Sequence, residues 1–231
     1  MKVDANISAD MTRTGKQAAH LESLGYDGLR IAELNHDPFL PLAIAAEHTN
    51  KVELLTSVAV AFARNPMSMA TLAHDLNAFS QGRMILGLGS QVKPHIERRF
   101  SMPWYKAARQ MREFIEAMNA IFDSWYDGER LEYIGEYYEH TLMPATFTPE
   151  NLESGRPQIN LSATGPLMTK VAAEVADGMI MHPFSSEKYI REVTLPAIEA
   201  GLTVSGRTLD EFQLDYAPII ATGANDEAIS Q

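Results

Sequence analysis

Residues 82–104 read GRMILGLGSQVKPHIERRFSMPW, a stretch in which apolar, bare and polar segments follow one another. The apolar run Arg83–Leu86 predicts a strand, and Gly87–Ser90 then removes most of the side-chain bulk. A strand that ends in glycines lets a flat or anionic ligand approach its backbone. The polar run Gln91–Arg99 lies directly beyond, as at the mouth of a barrel strand. On this stretch alone, a tight turn followed by a solvated charged loop is an equal alternative.

Outward from this stretch, short aliphatic runs alternate with longer amphipathic runs along the chain. The runs ELLTSVAVAF (53–62) and GMIMHPF (178–184) are apolar without alternation, which indicates parallel strands covered by helices. The pattern therefore predicts repeated βα units. Strands are predicted at Lys2–Ile7, Gly28–Glu33, Val52–Val60, Arg83–Leu88, Gln158–Ser162, Gly178–Met181 and Phe212–Ala221, and helices at Thr12–Leu24, Pro41–His48, Met67–Phe79, Tyr105–Trp125, Pro166–Ala176 and Ser186–Ala200.

The loops favour a closed (β/α)₈ barrel over an open doubly wound sheet. Polar or small residues follow nearly every predicted strand, whereas a doubly wound sheet concentrates its site at one switch point. The first strand also has no GxGxxG after it. The loops in question are Asn35–Asp37, Ala63–Asn65, Ser90–Gln91, Ala163–Gly165 and His182–Pro183.

Two features depart from the repeat within a single predicted domain, residues 1–231. Residues 127–156 interrupt it, and DGERLEYIGEYYEHTLM predicts a β-hairpin with its turn near 134–136, placed either as a lid or against a partner subunit. Only seven strands are counted, and residues from 222 onward predict a helix. A closed barrel needs at least ~30 further residues. We expect that the last βα unit is absent from this sequence, in preference to a seven-unit variant with an exposed edge.

Composition excludes several classes of function. A net charge of −11 argues against a nucleic-acid or anionic-membrane partner. The absence of cysteine excludes disulfides and thiolate metal sites. No apolar run approaches the roughly 18 residues of a membrane helix, and no signal peptide is visible. At 231 residues and 45% hydrophobic, the sequence predicts a cytoplasmic, enzyme-sized protein.

The loop after the second predicted strand carries Glu33, Asn35, His36 and Asp37. A histidine flanked by carboxylates can hold a proton near neutral pH, which suits general acid–base chemistry. The alternative is a helix N-terminus, in which Asp37 serves as the cap ahead of Pro38.

A second candidate is the short loop Ala163–Gly165, which leads into a predicted helix. Free backbone N–H groups and the helix dipole at such a point favour a phosphate. An ordinary βα turn is the alternative. His182 lies in the next barrel loop. No metal-binding cluster and no hydrolase or P-loop motif is found.

Three long segments carry a resemblance to a known family: LESLGYDGLRIAELNHDPFLPLAIAAEHT (21–49), LLTSVAVAFARNPMSMATLAHDLNAFSQGRMILGLGSQ (54–91) and LSATGPLMTKVAAEVADGMIMHPF (161–184). Together they resemble the bacterial-luciferase-like superfamily, in its branch of deazaflavin (coenzyme F420)-dependent oxidoreductases. The resemblance implies a luciferase-like TIM barrel, and it is weaker evidence for any substrate.

The resemblance also implies roles for individual residues. It places a non-proline cis peptide at Ser57–Val58, behind the ring of the cofactor. Relatives often have Gly where this chain has Gln91, which puts the cofactor contacts there in doubt. The implied cofactor-binding residues are Ser57, Val58, Ala59, Gly89, Ser90, Gln91, His95, Ala163, Thr164, Gly165, His182 and Pro183, and the implied catalytic residues are His36 and Glu33.

By this resemblance the protein transfers a hydride between coenzyme F420 and a small organic substrate that the sequence does not identify. The first alternative is a monooxygenase that uses reduced FMN and oxygen. The second is a non-catalytic flavin-binding barrel. Relatives are commonly oligomers, so a homodimer or homotetramer is expected.

Overall fold

The computed structural model describes residues 1–220, and its main feature is a parallel sheet covered by helices. The strands are β1 (Asp4–Asn6), β2 (Gly28–Ile31), β3 (Glu53–Thr56), β4 (Ala59–Val60), β5 (Met84–Gly89), β6 (Tyr133–Ile134), β7 (Glu139–His140), β8 (Gln158–Ala163), β9 (Gly178–Met181) and β10 (Gln213–Tyr216). The helices are α1 (Met11–Ser23), α2 (Phe39–His48), α3 (Pro66–Phe79), α4 (Lys93–Arg98), α5 (Ala107–Phe122), α6 (Pro166–Val175), α7 (Glu187–Tyr189) and α8 (Leu195–Ser205).

The sheet is curled into a half-barrel. Its strand order is β1-β2-β3-β5-β8-β9-β10, every pair is parallel, and β4 pairs with the end of β5. Arg30 of β2 donates to Asp4 of β1 (2.8 Å) and to Asp215 of β10. Since β1 and β10 lie at opposite ends of the strand order, this contact requires the two ends of the sheet to approach each other. The predicted parallel α/β barrel architecture is confirmed.

Burial and capping explain why these segments form these elements. All residues of β2 and β5 are buried, as expected for parallel strands with helices outside. Asp10 caps α1 by accepting from the Thr12 amide (3.0 Å), and Asn65 caps α3 by accepting from the Ser68 amide (2.9 Å). Pro66 occupies the first turn of α3, where its missing N–H costs least.

The prediction of one strand over Val52–Val60 was wrong. The strand breaks after Thr56, where the Ser57 amide donates to the Ile31 carbonyl oxygen (2.7 Å), and β4 resumes at Ala59 paired with Leu88 of β5. Strand β3 pairs with both β2 and β5, whereas β4 pairs with β5 alone.

Two other segments differ from the expectation. The polar run after β5 was expected to be a loop, but Lys93–Arg98 forms α4, which begins with a proline in its first turn and is supported by the pair Lys93–Glu97. The helix predicted at Ser186–Ala200 contains a π-helical turn at Ile190–Thr194, and α8 then continues to Ser205.

The predicted hairpin is confirmed as β6 and β7, with Tyr133 opposite His140. It packs on α5. The Tyr133 hydroxyl donates to Glu116 (3.1 Å), the Tyr137 amide donates to Glu113 (2.8 Å), and Gln110 donates to the Tyr138 hydroxyl (3.1 Å). The two alternatives for its role, a lid or a contact with a partner subunit, both stay predictions.

The last predicted strand is shorter than expected, at Gln213–Tyr216. The helix predicted from residue 222 onward lies outside the described residues. Among residues 1–220, none of the helices has both the length and the apolar character needed to cross a bilayer. In the same range, His, Asp and Glu side chains form no group of three or more that could hold a metal ion.

Candidate functional site

The carboxyl ends of β4, β5, β8 and β9 lie side by side at one edge of the sheet. Val60 pairs with Gly89, Leu88 with Leu161, and Ala163 with Met181, so four neighbouring strands end together. In a parallel α/β barrel this is the edge at which ligands bind. Nearly all of the predicted site residues lie here or in the loops that follow.

Gly89 and the segment before β4 pack against each other and form a wall at this edge. The Ser57–Val58 peptide is cis, as the resemblance implied. A Cβ on Gly89 would lie 2.6 Å from Cγ2 of Val58, so only glycine fits opposite this segment. Ser57 and Val58 are partly exposed, whereas Ala59 is fully buried and offers only its backbone.

The residues that follow β5 form the rim of this wall. Gln91 has a left-handed φ of 59°, and its side-chain oxygen accepts from the Val92 amide (3.0 Å). The Ser90 hydroxyl donates to the Gln91 carbonyl oxygen (3.0 Å). His95 is exposed on α4, and its carbonyl oxygen accepts from the Arg99 amide (3.0 Å). The structure therefore brings Ser90 and Gln91 to the wall, with His95 one helical turn away.

Residues 163–165 lead from β8 into α6. Gly165 is the residue before the helix, Pro166 fills its first turn, and within residues 1–220 no side chain caps this helix. A Cβ on Gly165 would meet no atom within 4 Å. Uncapped first-turn amides next to open space form a site suited to an anionic group.

Tyr189 holds this loop from the side. Its hydroxyl donates to the Thr164 carbonyl oxygen (2.9 Å), and Thr164 itself is exposed. Ser186 caps the single turn that carries Tyr189 by accepting from the Tyr189 amide (3.2 Å). Sequence reasoning missed Tyr189 because no local pattern links it to a loop 25 residues earlier.

His182 and Pro183 follow β9 and are both exposed. The His182 ring stacks on Phe184 (centroids 5.5 Å apart, 24° between planes), and its Nδ1 accepts from the Phe184 amide (3.3 Å). When Nδ1 accepts, the neutral ring carries its proton on Nε2. Nε2–H is then the atom of His182 free to donate to a ligand.

In the loop after β2, two polar side chains make structural hydrogen bonds and a third is exposed to solvent. Glu33 is buried and its Oε2 accepts from the Val60 amide (2.8 Å) and from Arg64 Nη1 (2.7 Å). Asp37 accepts from the Phe39 amide (2.9 Å) at the start of α2, as the capping alternative predicted. His36 is exposed and engaged in neither contact.

His36 lies near Asp10 of the loop after β1. Hydrogen bonds from Thr12 hold the pKa of the Asp10 carboxyl below its usual value, and the charges of Arg13 and His36 act in the same direction. His36 is thus at the carboxyl edge of the sheet, on the side of β1 and β2.

Arg99 is a second residue that sequence reasoning missed. It is exposed, as expected, and in addition its Nη2 donates to the Leu34 carbonyl oxygen (2.7 Å) while its guanidinium lies over the Phe100 ring (4.7 Å to the centroid). It therefore ties the segment after β5 to the loop that carries His36. The run of charges in 97–99 gave no signal that distinguished it from Arg98.

A polar cleft of about 1010 Å³ lies at the opposite edge of the sheet, lined by Gln158, Asp177 and Gln213 at the amino ends of β8, β9 and β10. In parallel barrels this face serves stability and the carboxyl face carries the chemistry. Its size alone does not make it the candidate site.

Comparison with known proteins agrees with this geometry. A family model described as luciferase-like monooxygenase matches residues 2–231. The chain belongs to the luciferase-like monooxygenase family. An uncharacterized protein of Mycobacterium tuberculosis is 47% identical over 230 residues, which are 100% of this chain and 68% of that protein.

Two luciferase-like relatives have named activities. The 5,10-methylenetetrahydromethanopterin reductase of Archaeoglobus fulgidus is 28% identical over 90% of this chain and 60% of its own length. The F420-dependent glucose-6-phosphate dehydrogenase of Intrasporangium calvum is 30% identical over 82% of this chain and 59% of its own length. The chain therefore spans about three fifths of the length of these two enzymes.

Solved structures share the luciferase-like fold. The coenzyme F420-dependent tetrahydromethanopterin reductase of Methanopyrus kandleri superposes with a TM-score of 0.75 at 23% identity, over 94% of this chain and 64% of that one. A type II Baeyer-Villiger monooxygenase of Pseudomonas putida, in complex with FMN, gives a TM-score of 0.73 at 17% identity, over 93% and 66%. Both are similar to this chain in fold.

Proposed function

We propose that this luciferase-like protein is an oxidoreductase that transfers a hydride between coenzyme F420 and an organic substrate. The observation that carries the proposal is that the wall of residues 57–58 and Gly89 and the uncapped N-terminus of α6 lie at neighbouring strand ends. One suits a planar ring and the other suits its phosphate. The similarity to the F420-dependent glucose-6-phosphate dehydrogenase of Intrasporangium calvum supports the deazaflavin over other planar cofactors.

The wall is proposed to hold the planar ring. The missing Cβ of Gly89 leaves room for the Val58 side chain, and the ring would lie against the partly exposed Ser57, Val58 and Ser90. Bound there, the deazaflavin supplies a carbon that accepts or donates hydride. The protein positions the reacting atoms and keeps water from them.

The phosphate of the cofactor would lie at Ala163–Gly165. The open space at Gly165 and the first-turn amides of α6 suit an anionic oxygen, and Nε2–H of His182 in the adjacent loop is available as a further donor. Gln91 and His95 would border the ring's other side.

His36 is the side chain proposed to move the proton that accompanies hydride transfer. It is exposed at the carboxyl edge and is free of the contacts that engage Glu33 and Asp37. An imidazole titrates near neutral pH, which suits both giving and taking a proton.

A monooxygenase that uses reduced FMN is the second candidate. The FMN-bound structural neighbour favours it, and the same wall and helix N-terminus suit FMN. Oxygen consumption with reduced FMN would be its signature. Tight cofactor binding without turnover would favour the third candidate, a non-catalytic flavin-binding protein.

Paired titrations test the proposed function. Oxidised F420 and FMN are added separately to the full-length protein, and binding is followed by fluorescence. We expect F420 to bind at least about tenfold more tightly than FMN, a difference of about 1.4 kcal/mol. A tighter affinity for FMN, or no change with F420, would contradict the proposal.

The substitution Gly165→Ala tests the phosphate loop. Its methyl group enters space that is empty in the protein, so folding should be unaffected while F420 binding weakens about tenfold. The control is the deazaflavin nucleoside without its phosphodiester, whose affinity should not change. Equal weakening of both ligands would place the phosphate elsewhere.

A further inference from the structure

Three charged side chains form a connected ion-pair group at the edge of the site: Glu33, Arg64 and Asp37. Arg64 Nη1 donates to Glu33 Oε2 (2.7 Å), and Arg64 Nη2 donates to Asp37 Oδ2 (3.0 Å). The Glu33 side chain is only 8% exposed, so its charge depends on these partners for compensation.

The group joins two segments that are far apart in the sequence, residues 33–39 after β2 and residues 60–64 from β4 onward. Glu33 lies two residues after the end of β2, and its Oε2 also accepts from the Val60 amide of β4 (2.8 Å). Arg64 also donates to the Val60 carbonyl oxygen (3.2 Å) and lies over the Phe39 ring of α2 (5.5 Å to the centroid). Asp37 connects the group to the loop that contains His36.

Glu33 also holds the same wall through its backbone. The Glu33 amide donates to the Val58 carbonyl oxygen (3.1 Å). Next to this contact, the Ser57 amide donates to the carbonyl oxygen of Ile31. Glu33 thus makes two of the three contacts by which the end of β2 fixes residues 57–60. That segment forms the wall against Gly89.

We propose that Glu33 is a positioning residue, and that its pair with Arg64 sets the location of the wall and, through Asp37, of the His36 loop. The proposal rests on the proposed function for the ligand that uses this wall. Because Glu33 Oε2 accepts from both an amide and a guanidinium, the side chain is held in one place and can position the segments that it contacts. The proton-transfer role expected from the sequence is assigned to His36, which is exposed and makes neither of these contacts.

Hydrogen exchange in the ligand-free protein tests the structural half of the proposal. We expect Glu33→Ala and Arg64→Ala each to speed exchange of the amides of residues 57–64 at least about tenfold. Each substitution breaks the Glu33–Arg64 ion pair, which is the clamp that holds this segment. The matched control is Glu47→Ala, which removes an exposed carboxylate from α2. Unchanged exchange in both clamp variants would overturn the proposal, whether or not any cofactor binds.

Affinity for oxidised F420 tests the functional half. Glu33→Ala and Arg64→Ala should each weaken binding about tenfold, and the double variant should be no weaker than either one, because residues in one network are not additive. Glu33→Gln keeps an acceptor for the Val60 amide and should restore most of the affinity. Fully additive losses would overturn the proposal.

The pH dependence of hydride transfer from reduced F420 separates positioning from proton transfer. Glu33→Gln should keep the titrating limbs of the wild-type profile, whereas His36→Gln should remove one. A profile that loses a limb in Glu33→Gln, with exchange at 57–64 unchanged, would make Glu33 the proton-transfer group instead. If F420 does not bind the wild-type protein, the proposed function is rejected. The hydrogen-exchange result still shows whether Glu33 and Arg64 position residues 57–64.

Discussion

At the scale of single residues, Gln91 shows how a site position combines backbone strain with a local contact. Its φ of 59° lies in the left-handed region that glycine adopts freely. The contact from the Val92 amide to its own side-chain oxygen offsets part of that cost. Relatives with glycine at this position would have the same backbone without the strain.

Two substitutions at Gln91 should therefore have opposite effects. Gln91→Ala keeps the strained φ and loses the side-chain contact, whereas Gln91→Gly removes the strain. We expect the glycine variant to be more stable than the alanine variant by about 1–2 kcal/mol, the cost of a left-handed L-residue. Urea unfolding of both variants measures the difference. Equal midpoints with equal slopes would contradict this explanation.

Residue identity could be predicted from the sequence better than residue partnership. The glycines after the β5 run and the small loop before α6 were recognisable because their composition reports on the backbone. The pair Glu33–Arg64 was not, since 31 residues separate them and either could have faced solvent. The cis peptide at Ser57–Val58 was expected only through the family resemblance.

At the scale of elements, Arg83 holds the amino end of β5 to the ends of two helices. It donates to the carbonyl oxygens of Ala46 (3.0 Å) and Thr49 (3.0 Å) near the end of α2, and to Ser80 (2.8 Å) after α3. It also donates to the carbonyl oxygen of Val52 before β3 (2.9 Å). Burial lowers the pKa of Arg83, although the charge of Glu22 opposes this.

Loss of this cation should destabilise the whole of the α2–β3 and α3–β5 connections. We expect Arg83→Met to cost about 3 kcal/mol or more, because several buried carbonyl oxygens lose their donors. Arg83→Lys should recover only part, since a single ammonium cannot reach both helix ends. Denaturant unfolding measures both. Arg191→Met, at an exposed pair, is the control and should change stability by less than about 0.5 kcal/mol.

Element type was more predictable than element continuity. Strand β9 has the predicted bounds, Gly178–Met181, because an apolar run there is flanked by clear turn signals. The break after Thr56 and the π-helical turn at Ile190–Thr194 have no local signal. At the break, the Ser57 amide donates to the Ile31 carbonyl oxygen 26 residues earlier, and such a contact cannot be read from nearby residues.

At the scale of the whole molecule, Arg30 connects the two ends of the sheet through the barrel interior. Burial opposes its charge, but the carboxylates of Asp215 and Asp4 outweigh this and hold the pKa of Arg30 above its usual value. The three side chains are at most 16% exposed, so each charge depends on the others. The predicted homo-oligomer and the small-molecule partner stay predictions at this scale.

Breaking this connection should be costly. Arg30→Met leaves two buried carboxylates facing each other, and we expect a loss of about 3–5 kcal/mol in the free energy of unfolding. The triple variant Arg30→Met, Asp4→Asn, Asp215→Asn removes all three charges and should recover part of that loss. Thermal and urea unfolding measure both. A loss below about 1 kcal/mol in the single variant would mean that the ion pairs of Arg30 do not hold the two ends of the sheet together.

The hairpin of β6 and β7 has a practical consequence for work on this protein. Its contacts are with α5, while the tip at 134–136 is exposed. Because that tip is exposed and contains no predicted site residue, it is a natural place to graft an affinity tag or a fluorescent label. Such a handle would let the protein be immobilised or observed with every predicted site residue unchanged.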